Sequence, residues 1–260
     1  MSQIKASKEY ILKLLKEGKR LDGRKLDEFR KPIKIEYGIS NKAEGSARVI
    51  IGETIVAAGV KLEVGEAYPD TPDQGAIMVG AEMLPLSSPD FEMGPPNNKS
   101  IELARVVDRG IRESHAIDLK KLCIKSGEKV WMVCIDIYTL NDAGNLQDAA
   151  SLAALGALMD AKLPTYNEKE DKVDYKKRTG KIPLVRKPLE VTLIKIGDEI
   201  VADASLAEEE VMDSKLTIAV DDNGMLCALQ KGGSGTLTSE DVKKMTAIAI
   251  KRTADLRKVL

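Results

Sequence analysis

The stretch from Val130 to Pro164 constrains this chain more than any other. A strand is predicted over Val130–Leu140, followed by the loop Asn141-Asp142-Ala143-Gly144-Asn145 and an Ala-rich helix over Gln147–Leu158. Strand, Gly-containing loop and helix N-terminus aim free N–H groups and the helix dipole at one spot, which makes an anion cradle. A cradle used for chemistry normally adds Arg, Lys, Ser or Thr. This one offers Asn145, Leu146, Gln147 and Asp148, and the Asp carboxylate repels an anion.

The rest of the chain is organised around that unit. Ser7–Gly18 reads as a short amphipathic helix with Ile11, Leu14 and Leu15 on one side, closed by Gly18. Ser46–Ile51 and Thr54–Val64 read as a hairpin turning at Gly52-Glu53. A Pro/Asp/Gly stretch (66–75), a strand over Ala76–Leu84, a second Pro-rich stretch and a helix over Lys99–His115 follow. In the second half, Leu189–Ile196 and Glu199–Ser205 form a hairpin at Gly197-Asp198. Leu216–Val220 and Met225–Gln230 form another, where Asn223-Gly224 signals a type I′ turn. A terminal helix is capped by Thr238 or Ser239. The shared order of Gly-acid hairpin, loop, strand and helix predicts an α+β fold of internally duplicated βαβα halves. They fall at about 30–160 and 185–260 of a single domain over 1–260. The Lys-rich segment Tyr166–Lys181 has no apolar period and reads as a surface excursion.

Composition narrows the function classes. Hydrophobic residues make up 43% and charged residues 31% of 260, which fits a globular chain with a real core. Forty Lys+Arg against 41 Asp+Glu leave a formal charge of −1, so a nucleic acid would have to be held by a local basic stripe. Phe29, Phe91, Trp131 and six Tyr are too few for a platform of stacked bases. Cys123, Cys134 and Cys227 lie far apart in apolar runs and read as reduced core residues. No apolar run approaches the roughly 20 residues that cross a bilayer, and the N-terminus has no signal-peptide core, so a cytoplasmic, membrane-free protein is expected.

Four features could carry chemistry or binding. Arg105, Arg109 and Arg112 fall at about 0°, +40° and −20° on their helix, a single stripe opposite Leu103, Val106, Val107 and Ile111. Such a row suits a phosphodiester backbone, and the alternative is a solvated face paired with Glu102, Asp108 and Glu113. Glu208-Glu209-Glu210 with Asp213 could hold Mg²⁺, but consecutive residues of an extended chain alternate faces, which favours a solvated loop. Lys231-Gly232-Gly233-Ser234-Gly235-Thr236 lacks Walker spacing because its Lys comes first, which favours a flexible connector. His115, the one histidine, has neither triad nor zinc spacing around it.

Taken together, several stretches resemble the RNase PH family of phosphorolytic exoribonucleases. They are Arg20-Leu21-Asp22-Gly23-Arg24, Gly45-Ser46-Ala47, the run from Ile101 to Arg112, the Asp142–Pro164 unit and the second-half hairpins. Pro95-Pro96 with the helix to Arg112, and Gly144-Asn145-Leu146-Gln147-Asp148-Ala149, are most similar to the non-catalytic RNase PH-like subunits of the archaeal exosome. The resemblance implies an RNase PH-like (ribosomal protein S5 domain 2-like) fold. In active members a hydroxyl and an Arg hold phosphate where Leu146 and Gln147 stand here. Two acidic residues serve catalysis; the first falls near Glu209 and the second near Lys215, a charge reversal.

The resemblance therefore implies a chain with no catalytic residues, cofactor or metal of its own. It implies an alternating hetero-hexameric ring with a catalytic RNase PH-like subunit, topped by RNA-binding cap subunits with S1/KH-type domains. The complex would degrade RNA 3′→5′ by phosphorolysis, and this chain would structure the partner's site and contact single-stranded RNA through Arg105, Arg109 and Arg112. The alternatives are an active phosphorolytic exoribonuclease and a ring scaffold without RNA contact.

Overall fold

A computed structural model describes residues 2–260. Two β-sheets face one another across a helix that is apolar all round. The first sheet contains β1 (Ile33–Tyr37), β2 (Gly45–Ile51), β3 (Thr54–Gly65), β4 (Ala76–Met83), β5 (Cys123–Lys125) and β6 (Lys129–Asn141). Its order is β1-β2-β3-β6-β4 with β5 beside β6, and every pair is antiparallel except β4–β6. The chain leaves β4, passes through α2 (Asn98–Glu113) and returns to lie parallel at β6. β3 shows why the sheet is one-sided: Val56, Ala58, Val60 and Leu62 are buried, while Ile55, Ala57, Gly59 and Lys61 between them are half-buried.

The second sheet has the order β10-β9-β11-β12, with β9 (Leu189–Ile196), β10 (Glu199–Ala202), β11 (Ser214–Val220) and β12 (Leu226–Gly232). Between the sheets runs α3 (Leu146–Asp160), buried continuously from Asp148 to Leu158. Its alanines let it touch β2 and β3 on one side and β9 on the other. A helix with no polar face is stable only when enclosed in this way. α5 (Ser239–Leu256), capped by the Thr238–Asp241 box, covers β9 and β11. α1 (Ser2–Lys16) packs Ile11 and Leu15 into a satellite core with Ile194, Ile196 and Val201.

Several expectations are corrected. Tyr166–Lys181 forms most of a hairpin of β7 (Lys162–Asn167) and β8 (Lys172–Lys181), an ordered and largely exposed element. It packs Leu163, Tyr166 and Val173 against the main core, too few positions to set an apolar period. Arg178 ties it down, donating to Ala43 O at 2.7 Å and to the buried Glu44 at 3.1 Å. Glu208-Glu209-Glu210 is not a solvated loop but lies in α4 (Leu206–Val211), begun by a Ser205–Glu208 capping box. The Asn223-Gly224 turn is not type I′, since only Gly224 has positive φ, at 78°. Asp221 instead accepts from the amides of Asn223 at 2.9 Å and Met225 at 2.8 Å, which closes a longer loop. The cysteines are free but only half-buried, not core residues.

The tightest approach in the fold lies at Gly45. A Cβ there would stand 2.3 Å from Ala157 O and 2.4 Å from the Ala161 backbone. Gly45→Ala is therefore expected to cost about 3 kcal/mol or more, because the opposing atoms are backbone and cannot rotate away. Gly224→Ala, in open space at positive φ, should cost only about 1 kcal/mol. Urea unfolding of both variants checks the contrast, and equal losses would refute it.

Candidate functional site: an emptied anion cradle beside an arginine stripe

The cradle loop is held from behind by the N-terminal segment. Arg30 donates to Ala143 O at 2.5 Å and Gly144 O at 2.9 Å, and Thr54 Oγ1 donates to Gly144 O at 2.7 Å. Asn145 takes the left-handed conformation (φ 54°), and its side-chain amide donates to Asp148 and to Asp203, each at 2.9 Å. Asp203, also left-handed (φ 48°) and fully buried, gathers Arg30 through three donors and Arg24 at 2.9 Å. Arg20, buried as well, forks onto Glu208 at 2.9 and 2.5 Å and donates to Ala202 O and Asp203 O. The role of these three arginines as clamps was not read from the sequence. Their partners lie more than 100 residues away, and only the spacing of the Arg20–Arg24 motif could have singled two of them out.

The anion's place is taken by the chain's own side chains. The Asn145 amide, which a bound phosphate would use, donates at 2.8 Å to Glu209 Oε1, brought there by α4. The Gly144 amide is turned to Asp142 at 3.0 Å. Gln147 bends inward, donating at 2.8 Å to Glu190 on β9. Asp148 does not face the cradle as an exposed repelling charge. It is buried and accepts from Thr192 N at 2.8 Å. The three consecutive glutamates diverge: Glu208 pairs with Arg20, Glu209 caps the loop and Glu210 is exposed. Among the described residues, no group of three or more His, Cys, Asp or Glu is placed to hold a metal.

Lys215 stands on β11 over Gly232 and pairs with Glu102 of α2 at 2.9 Å. Glu102 lies on the same helix stripe as the arginines, so Lys215 meets the stripe through it. The stripe itself is not uniform. Arg105 is exposed and has no hydrogen-bond or ion-pair partner among the described residues. Arg109 leans on β12, donating to Gln230 Oε1 at 2.8 Å. Arg112 forks onto Asp108 at 3.0 and 2.6 Å and donates to Ile77 O. The connector at 231–236 is stapled, with Lys231 donating to Gly233 O and Gly235 N to Asp213 O. His115 is exposed at the end of α2 in a left-handed conformation.

Burial dominates the acid chemistry here. It pushes the Asp148 carboxyl well above its ordinary value against the donors from Asn145 and Thr192. It raises Glu209 from 4.5 to about 7, with Asp142 adding and Asn145, Lys215 and Arg30 opposing. Asp203 is the exception: burial pushes it up too, but Arg30 outweighs burial and holds it below the usual range. Glu190 is raised to about 7 by burial, against Gln147 and Arg109, and its Oε1 has no partner. Folded Glu190 thus keeps its proton longer than the unfolded chain, whose glutamates titrate near 4.5. Stability from this group is therefore lost as pH rises through that window, by about 3 kcal/mol. Glu190→Gln should remove most of this fall, and denaturant melts at about pH 5 and about pH 8 check it. Identical pH slopes in variant and parent would refute the assignment.

Comparison with known proteins gives the family and the fold. Residues 28–164 match the model of "3' exoribonuclease family, domain 1" and residues 188–252 that of "domain 2". The chain is 49% identical over 255 residues to the exosome complex component Rrp42 of Methanocella arvoryzae, covering 97% of this chain and 95% of the relative. It is 46% identical over 251 residues to that of Methanothermobacter thermautotrophicus, covering 96% and 92%. A chain of the Archaeoglobus fulgidus exosome with RNA bound to the active site superposes with TM-score 0.91 at 44% identity, covering 99% of both chains. A chain of an archaeal exosome core gives 0.85 at 42%, covering 98% of this chain and 96% of that one. The α+β fold expected from the sequence is thus the fold of these proteins, and the chain belongs to the RNase PH family of 3′ exoribonucleases.

Proposed function

We propose that this chain is a non-catalytic subunit of an exosome core ring that degrades RNA 3′→5′ by phosphorolysis. The carrying observation is the occupied cradle. Glu209 sits on the amide a phosphate would need, Gln147 is turned to Glu190, and Lys215 is tied to Glu102. An inorganic phosphate entering here would meet the Glu209 carboxyl, while the guanidinium behind the loop, Arg30, is already committed to Asp203 and the loop carbonyls, so its binding is unsupported by a free fork. The family likeness supplies the ring: the relatives are named as exosome components. A catalytic RNase PH-like subunit alternates with this one and provides phosphate binding and the general acid. Cap subunits with S1/KH-type domains deliver RNA, and the assembly works in the cytoplasm. Among the described residues, no helix is long and apolar enough to cross a membrane.

The chain keeps an RNA-facing stripe. Arg105 is free to meet phosphate, Arg109 is steadied by β12, and Arg112 would have to share its guanidinium with Asp108. The same reading takes 1–260 as one domain with halves at about 30–160 and 185–260. One apolar cluster drawing on both sheets supports it.

Two measurements test this. With phosphate and poly(A), the lone chain is expected to release no nucleoside diphosphate, whereas the chain with its catalytic partner does. Release by the lone chain would overturn the inactive reading. In the assembled complex, Arg105→Glu should weaken RNA binding and lower the salt slope by about one, while Arg112→Ala, already neutralised by Asp108, should change it less. RNA affinity indifferent to Arg105→Glu and Arg109→Glu together would favour a scaffold without RNA contact.

A further inference from the structure

At the other end of β3 and β6, the 66–75 loop, the turn before β6 and the β7–β8 hairpin enclose an open groove of about 1160 Å³. Three of the chain's six tyrosines line it: Tyr68, Tyr166 and Tyr175. Tyr68 is 50% exposed and Tyr175 41%, unusual for rings that could have been turned inward. The groove's own contacts show what these faces attract. The Lys129 ammonium lies 5.8 Å from the Tyr166 ring centre, and that of Lys61 lies 5.2 Å from Tyr175. Aromatic faces carry negative potential and favour cations.

The charges of the lining point the same way. Asp171 is matched by Lys129, and Glu128 by Lys125 at 2.6 Å. Glu63 and Glu66 have no hydrogen-bond or ion-pair partner among the described residues, and against them the lining sets one uncommitted cation, Lys172. Arg112, close enough to feel Tyr68, is held by Asp108. The field continues over the open face of the first sheet, where burial and then Glu82 and Glu63 raise the Asp136 carboxyl. A nucleic acid laid here would bring its phosphates against unpaired carboxylates. A guanidinium or ammonium would find carboxylates to pair with and a ring face to stack on, between walls stiffened by Pro69 and Pro72.

We propose that this groove docks an extended, arginine- or lysine-rich segment of a partner protein, gripped by Glu63 and Glu66 and by the face of Tyr68. The site adjoins the Arg112 end of the arginine stripe but does not depend on RNA contact by that stripe. Its chemistry is the reverse: anionic and aromatic, where the stripe is cationic.

The test titrates the full-length chain with a short alternating Arg-Pro peptide, with the same peptide carrying Glu for Arg, and with an oligo(A). The Arg-Pro peptide is expected to bind with an affinity that falls as salt rises. Glu63→Gln with Glu66→Gln should weaken it about tenfold, and Tyr68→Ala by several-fold. Tyr68→Phe, which keeps the ring face, should retain binding, and thermal melts confirm that each variant folds. Binding indifferent to Glu63→Gln and Glu66→Gln would overturn the proposal. So would oligo(A) binding that Tyr68→Ala abolishes, since the groove would then be a nucleic-acid site.

Discussion

The architecture depends on one buried carboxylate. Asp203 ends β10 in a left-handed conformation that costs roughly 1–2 kcal/mol in a residue with a Cβ. Buried alone, its charge would be intolerable. It is held ionised because Arg30 reaches it with three donors, Arg24 with one and Asn145 with another. The donors come from two stretches of chain, 24–30 and the loop at Asn145, so one side chain fixes the N-terminal segment and the α3 loop against the second sheet. The remaining donors of Arg30 end on the carbonyls of Ala143 and Gly144. The cradle's backbone is thus a structural joint whether or not anything binds in it.

Within that frame, charge and not shape decides what the cradle can hold. A phosphate at a helix N-terminus is favoured by about 1 kcal/mol from the dipole alone. A nearby carboxylate opposes it by a comparable or larger amount wherever water is partly excluded. Glu209 tips that balance, and its own carboxyl is pushed up toward neutrality as a result of burial. Lys215 stands near enough to oppose that shift, while its ammonium pairs with Glu102 at 2.9 Å.

The layers of the fold were legible where period and burial coincide. β3 alternates because one face meets α3, and α2 shows its stripe because Leu103, Val107 and Ile111 are buried behind it. The α4 helix was also written in the sequence, as Ser205-Leu206-Ala207-Glu208, a capping-box spacing. Read as a run of charge, it was misplaced, because Glu208 is neutralised by Arg20, 188 residues distant. The β7–β8 hairpin was illegible for a different reason: with Leu163, Tyr166 and Val173 packed on the core and the rest largely exposed, its strands show no alternation. At the site, Leu146, Gln147 and Lys215 could be named from the sequence. The groups that meet Gln147 and the Asn145 amide could not, since Glu190 and Glu209 arrive from elements far along the chain.

Arg109 shows how structural and functional demands can share one residue. β12 is the last strand of the second sheet, and its outer rim carries Met225, Leu226 and Leu229, all exposed. A bare apolar edge invites pairing with stray strands. Arg109 reaches across to Gln230 and the Leu229 carbonyl, so a charged fork covers that rim. The same contact restricts the guanidinium's motion and sets it near Glu190, whose carboxyl it draws downward. A phosphate arriving at the stripe would therefore meet Arg105 as a mobile charge and Arg109 as a fixed one. Less ordering entropy remains to be lost at Arg109 than at Arg105.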